Sequence, residues 1–231
     1  MLEDGLSYPV RGDWIGRVII GGVLGFLSVL VLPAFVLLGY LVRVLEMTVD
    51  GSEDPPKFVD WGELLVTGVV GTVITLAYTV VPIVGYALLM VVLVGTGGAV
   101  GGDLGALVGV AGLLATLAFI AVVLVVYYAV PAALTAYAAH GEIGAAFDLA
   151  ALKPTLFSTE YLVAVFMPLV VAVGLWVATG LLAITIVGLL FVPFLQFYGQ
   201  MAVFRMFGSA FASETDRIDA GPAETPDLAG R

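Results

Sequence analysis

Four long stretches of the chain contain no charged side chain: residues 18–42, 64–102, 104–141 and 161–204. Within them the apolar residues run continuously and do not alternate, which suits buried or lipid-facing helices and argues against the dyad pattern of a membrane β-barrel. A hydrocarbon core of about 30 Å takes roughly 20 helical residues to cross. The first stretch, 25 residues long, is read as one crossing. The last, 44 residues, is about 66 Å of helix and must cross twice, with a turn at Thr185-Ile186-Val187-Gly188. The middle two share a glycine-rich junction over residues 95–103, leaving one span on each side. The fold expected is therefore all-α: an integral membrane bundle of about five kinked transmembrane helices with short interfacial segments. The N-terminus lacks a basic region before its first apolar run, so that run is expected to stay as an uncleaved anchor. Residues 1–211 form the helical membrane domain in this reading. Residues 212–231, poor in bulky apolar side chains, form a disordered acidic tail.

Helix starts are signalled at Asp13-Trp14, Asp60-Trp61, Asp103 and Ser158-Thr159-Glu160. A short polar side chain there can accept from the open N–H groups of a first turn. Asp60 and Glu63 have capping-box spacing. Residues 54–65 place Phe58, Trp61 and Leu65 at helical offsets, which suits an interfacial segment leading into the second span. Residues 141–152 read similarly. Trp14, Phe58 and Trp61 are the expected interfacial anchors, because amphipathic rings favour the headgroup level.

Composition sharpens this picture. Charged residues are 11% of the 231, against about 25% in an ordinary soluble domain, and apolar residues are 61%. Mean hydropathy is +1.16. A soluble globular domain and a disordered chain are excluded, and the absence of cysteine excludes disulfide scaffolds and thiolate metal sites. With five spans, Arg11 and Arg17 fall on one side of the membrane, and Arg43, Lys57, Lys153, Arg205, Arg217 and Arg231 on the other. The positive-inside rule makes the richer side cytoplasmic, which puts the N-terminus outside and the C-terminus inside the cell membrane. Eighteen acids against eight bases give a net charge of −10, a lever used by proteins of high-salt cytoplasm.

The spans carry no ionisable group at mid-depth, which argues against a proton-coupled pump or a voltage sensor. Neutral polarity remains. Gly68, Thr72, Thr75, Thr79 and Tyr86 share one helical face, and Gly105, Gly109, Gly112, Thr116 and Tyr127 another. Thr72, Thr75, Thr79 and Tyr86 make either a polar cavity for a small or lipidic solute or a packing face between helices. Each span holds one proline, at 33, 82, 131, 168 and 193, read as a hinge or as an ordinary kink. Asp13-Trp14, Gly22…Gly25, Pro33 and Gly39-Tyr40 recur as Asp60-Trp61, Gly68…Gly71, Pro82 and Gly85-Tyr86, a weak internal repeat.

No catalytic, cofactor-binding or metal-ligating set is found. His140 is the one histidine, no Gly-x-Ser-x-Gly elbow occurs, and no Lys-Ser/Thr follows the glycine runs to make a phosphate loop. No basic patch supports nucleic-acid binding. The expected partners are the lipid bilayer and a membrane protein or a second copy of the chain. A non-enzymatic membrane interaction or assembly protein is the leading reading. A permease or channel for a small neutral or lipidic solute is the alternative.

Asp13-Trp14, Gly21-Gly22, Pro33 with Gly39-Tyr40 and Arg43, then Pro55-Pro56, Phe58, Trp61 and Gly68 together resemble a domain-of-unknown-function family of multi-pass membrane proteins common in haloarchaea. The resemblance spans most of residues 1–210 and is sharpest over 13–71. It implies a helical membrane protein and brings no activity, ligand or catalytic residue with it.

Overall fold

The computed structural model describes residues 2–97 and 102–219. Its helices are α1 (Leu2–Ser7), α2 (Trp14–Phe26), α3 (Leu32–Val49), α4 (Trp61–Gly97), α5 (Asp103–His140), α6 (Leu149–Leu156), α7 (Thr159–Leu182) and α8 (Ile186–Asp219). Short 3-10 turns cover Tyr8–Val10, Leu27–Leu30 and Ile143–Phe147. No strand occurs among the described residues. Five helices are long and apolar enough to cross a bilayer: Leu32–Val49, Trp61–Gly95, Asp103–His140, Thr159–Leu182 and Ile186–Thr215.

Five long helices are the number the sequence reading expects, but the bent pair Leu2–Val10 with Trp14–Leu30 is apolar enough for a sixth passage, and the first span is not where the charge-free stretch put it. Residues 18–42 do not cross as one helix. α2 ends in the 3-10 turn Leu27–Leu30, the chain reverses at Val31 with φ 67°, and α3 starts anew at Leu32. The local causes are visible. Ser28 Oγ donates to the Leu24 carbonyl at 2.9 Å, and Pro33, in the first turn of α3, has no N–H to give the Val29 carbonyl and so cannot continue the helix of α2, while it is tolerated at a helix start. The packing cause is α8. A Cβ on Gly21 would lie 2.2 Å from Phe197, and one on Gly22 would lie 2.1 Å from Phe194. Gly25 faces Pro193. Residue numbers rise along α2 as they fall along α8, so the two are antiparallel. α3 runs the other way: Tyr40 meets Phe197, and Gly208 abuts Thr48. α2 and α3 are therefore a helical hairpin laid against α8.

α3 and α4 cross at backbone contact. A Cβ on Gly39 would stand 1.8 Å from the Leu64 carbonyl oxygen, and one on Gly68 would stand 1.7 Å from that of Phe35. Only glycine permits that approach. Around this crossing sits the core. Val42, Leu45, Ile74, the alanines at 132, 133 and 136, Tyr161 and Phe207 are fully or nearly fully buried. A second cluster joins Tyr8, Tyr40, Leu64, Phe197 and Met201. Residues 83–95 and 103–125 contribute nothing to either, and none of them is buried. Tyr86 and Thr116 join these two segments by a 3.0 Å hydrogen bond, and the Tyr86 ring stacks on Phe119.

Several local expectations need correction. Ser158 and Asp148 cap α7 and α6 through their side chains. Asp13 makes no cap bond, and Glu63 pairs with Arg43 at 3.0 Å. Residues 54–60 are irregular, not helical, and the helix begins at Trp61 after Asp60 adopts φ 54°. The turn between the last two spans falls at residues 183–185, where the Thr185 hydroxyl accepts from the Gly188 N–H. α8 runs to Asp219, so residues 212–219 are helical; the rest of the expected tail lies outside the described residues. Of the glycine-rich junction, residues 98–101 also lie outside them. Pro82, Pro131, Pro168 and Pro193 sit inside unbroken helices, and only Pro33 adjoins a break.

Candidate functional site

The two halves of the molecule differ in charge. α1 and the turn after it are tied to the loop between α3 and α4 and to α8. Asp4 accepts from Arg11 at 2.5 Å and from Arg205 Nε at 3.0 Å. Arg11 also donates to the Glu53 carbonyl, and Arg205 to that of Ser52. Both guanidinium groups lie over the Tyr8 ring, at 5.7 and 4.8 Å from its centroid, a geometry that favours cation–π attraction. The Tyr198 hydroxyl donates to the Leu6 carbonyl. Arg17 is only 7% exposed and donates to the carbonyls of Pro9 and Arg11. Its Nε is buried without a hydrogen-bond partner among the described residues.

These contacts correct the two-to-six division of bases. Arg11 and Arg17 share an end with Arg43, Lys57 and Arg205. α4 and α5 are antiparallel, as Gly71 beside Leu134 and Tyr86 beside Thr116 show. The α5–α7 connection with Lys153 therefore lies at that end too. At the opposite end, formed by the α4–α5 and α7–α8 connections and the tip of the hairpin, Asp103 is the sole charge in the sequence. The N-terminal segment is thus at the same end of the bundle as Arg205 of α8, not at the end the five-span reading expects. The physical reason is the hairpin, which returns the chain to the end it started from.

Burial pulls the Asp4 carboxyl upward, but hydrogen bonds and charge from Arg11 and Arg205 outweigh it and leave the group below its ordinary value of 3.8. Burial also raises the Tyr8 phenol above its ordinary range, against the opposing charges of Arg205, Arg17 and Arg11. Both groups are in their usual charge states at neutral pH, so the cluster is a structural clamp with no group poised for proton transfer.

An aromatic stack lies beside the clamp. Tyr40 stacks on Phe58 at 4.1 Å, Phe58 on Trp61 at 5.8 Å, and Phe197 tilts against both Tyr40 and Phe58. The Tyr40 hydroxyl donates to the Pro56 carbonyl. Phe58 is thus half-buried, packing the loop onto α3. Trp61 and Trp14 keep 47% and 43% of their surface exposed.

The neutral polar face behaves differently from a cavity wall. Thr72, Thr75 and Thr79 donate to the carbonyls of Gly68, Gly71 and Thr75 in their own helix, at 2.8–2.9 Å. Tyr86 bonds across to α5 through Thr116, whose hydroxyl in turn donates to Gly112. On α5 the small face is not a tight seam. Gly109 and Gly112 have nothing within 4 Å of where a Cβ would stand. Gly105, Gly109, Gly112 and Thr116 line a groove against Met90 and Leu93 of α4, about 400 Å³ in volume. Nor do the polar side chains of the connections converge. His140 bonds its own helix at Ala136, Asp148 caps α6, and Arg43 holds Glu63 and the Val59 carbonyl. No group of three or more metal-binding side chains occurs among the described residues.

Sequence reasoning missed the clamp. Asp4 and Arg205 are 201 positions apart, and no spacing links them. The one available signal was the charge of the N-terminal segment, and the wrong span assignment sent it to the wrong side.

No curated protein and no solved structure matches the chain. A family model described as "Protein of unknown function (DUF4013)" matches residues 26–184. The match runs from the end of α2 to just beyond α7. It takes in the Gly39–Gly68 crossing, the aromatic loop and the α4–α5 pair, and leaves Asp4, Tyr8, Arg11, Arg17 and Arg205 outside. Spanning more than two thirds of the sequence, it makes the chain a member of DUF4013, a family whose function is unknown.

Proposed function

We propose that this is a multi-pass, non-enzymatic protein of the cell membrane that assembles with another membrane protein or a second copy of itself through the α4–α5 pair. The observation that supports this reading is the bareness of that pair. Segments 83–95 and 103–125, of 13 and 23 mostly apolar residues, leave the core with no buried position between them and with a glycine-lined groove along their junction. Small residues let a further helix approach closely, which is how helices associate in lipid. The permease reading needs hydroxyls facing a path, and the threonine hydroxyls are engaged by their own backbone.

Orientation follows from the charged end. All six bases with described side chains lie there, so positive-inside places that end, with the N-terminal segment and the C-terminal half of α8, in the cytoplasm. The acidic excess of the same loops suits a high-salt, haloarchaeal cytoplasm.

Two measurements test the reading. The chain has no cysteine, so Ser7→Cys, Ser52→Cys and Thr185→Cys each give a unique label site. In intact cells an impermeant maleimide should reach the last and spare the first two; labelling of Ser7→Cys alone with Thr185→Cys would overturn the common cytoplasmic end. For assembly, the tagged chain is cross-linked in its native membranes and purified. A partner or dimer should be recovered, and Gly109→Leu with Gly112→Leu should abolish it. A monomer without partner from cross-linked native membranes sinks the proposal.

A further inference from the structure

α5 and α7 do not close on each other beside the end of α6. Between them lies an apolar groove of about 460 Å³, walled by Leu124, Tyr127 and Tyr128 of α5 and by Val165, Phe166 and Leu169 of α7. Its volume is that of a site for one small ligand. Along α5 the wall from Leu124 to Tyr128 covers only about 6 Å at 1.5 Å per residue, too short to seat a partner helix along its length.

The polar rim of the groove is specific. The Tyr128 hydroxyl donates to the Leu156 carbonyl at the end of α6, and the Tyr161 hydroxyl donates to the Tyr128 carbonyl. Those two hydroxyls are spent. Tyr127 is half exposed in the groove wall, and no hydrogen bond engages its hydroxyl among the described residues. Lys153 stands one helical turn before Leu156, is exposed, and enters none of the ion pairs among the described residues. Phe157, 81% exposed, follows at the end of α6. An apolar slot, a tyrosine hydroxyl in its wall and an exposed ammonium one helical turn from the Leu156 carbonyl that Tyr128 holds match an amphiphile from tail to head: chain, linkage region, anionic phosphate.

From this we infer that the groove between α5 and α7 binds one anionic phospholipid, its chain between the two spans and its phosphate on Lys153. The inference rests on the reading of these helices as bilayer-embedded, with the charged end at the headgroups, and is independent of the assembly role. Arg11, Arg43 and Arg205 are each held by a carboxylate; Lys153 and Lys57 enter none of these pairs, and of the two only Lys153 belongs to α6, whose end bonds the Tyr128 hydroxyl of the groove wall.

Native mass spectrometry of the full chain, released from mixed phosphatidylcholine–phosphatidylglycerol vesicles, tests it. Wild type should retain one phosphatidylglycerol in preference to phosphatidylcholine. Lys153→Glu should lower that preference about tenfold, and Lys153→Arg should keep it. Val125→Trp, at a lipid-exposed wall position, should displace the lipid of either headgroup; Leu169→Trp repeats the test on the other wall, and unchanged thermal unfolding shows that each variant is folded. Inorganic phosphate should not compete. Equal retention in wild type and all variants overturns the site. Sensitivity to Lys153→Glu with none to either Trp variant reduces it to surface charge, and competition by phosphate reassigns it to a free anion; either result overturns the lipid proposal. Failure to find a protein partner leaves these outcomes unaffected.

Discussion

Asp13-Trp14 and Asp60-Trp61 each open an apolar run with a glycine pair, a proline and a Gly-Tyr at matching offsets. The first run breaks at residues 27–31 and turns back on itself, whereas the second continues as one helix of 37 residues. Each is far longer than a bilayer requires: 37 residues of helix measure about 56 Å against a core of about 30 Å. The surplus has two outlets. In the first region it folds into a hairpin, because Phe194 and Phe197 of α8 offer rings that the glycines of α2 accept. In the second it extends into the charged end, where the first half of α4 crosses α3 and packs on α5, and only the later half stands bare. Matched residues therefore take different roles. Gly39 sits against a backbone carbonyl, while its counterpart Gly85 has nothing within 4 Å. Tyr40 is wholly buried, and Tyr86 only half.

The largest expected contrast is between the aromatic anchors of the two regions. Phe197→Ala removes the ring that fills the space at Gly21 and tilts against Tyr40 and Phe58, so a loss of about 3–5 kcal/mol is expected. Phe119→Ala removes a stack in the bare pair and should cost about 0.5–1.5 kcal/mol. Unfolding in detergent compares them, and equal losses would show that the hairpin does not depend on α8.

Gly39→Ala and Gly85→Ala come next. Overpacking ordinarily costs about 1–3 kcal/mol, and at Gly39 the obstacle is a carbonyl oxygen that no rotamer change can move, so the upper end is expected. Gly85→Ala should gain about 0.5–1 kcal/mol, as Ala replaces Gly inside an open helix. A shift in melting temperature of the same sign for both would refute the difference between the regions.

Val31 holds a β-branched side chain at φ 67° and ψ −52°, a sparsely populated conformation costing about 1–3 kcal/mol outside glycine. Val31→Gly should therefore stabilise the hairpin. A loss on this substitution would mean that the side chain, and not the reversal, matters at that position.

The smallest effect concerns the clamp that closes the first region and has no equivalent in the second. The folded pKa of Asp4 lies below its ordinary value of 3.8. Its contribution is thus present above that value and lost as pH falls through the lower folded pKa. Hydrogen exchange in residues 2–10 should rise only below about pH 4, with Asp4→Asn showing the raised exchange already at neutral pH. Because Asp4 is partly exposed, high salt should weaken the clamp as well. Exchange that ignores both acid and the substitution would show that Tyr8 burial alone holds the segment.

The candidate sites were legible to different degrees. Phe58 and Trp61 stood out as aromatic neighbours at an interface, and they do stack, although through an irregular loop and not at helical spacing. The threonine face was visible as a stripe, but a stripe does not reveal whether a hydroxyl bonds across to another helix or back to its own backbone. The α5 glycines looked like a seam, yet a seam needs a partner, and none lies against Gly109 or Gly112 in this chain. The clamp was invisible, because it joins groups from the two ends of the sequence.

Helix, the long apolar spans after the first and family membership come from local properties: continuous apolarity, charge gaps of known length and recurring small motifs. A bilayer-length rule acts on each segment alone, so the sequence suffices for them. Which end the N-terminus occupies, whether an apolar run bends or continues, and which glycines carry a crossing depend on the surfaces that neighbouring helices present. Those surfaces exist only once α8 has met α2 and α3, and there the tertiary structure decided.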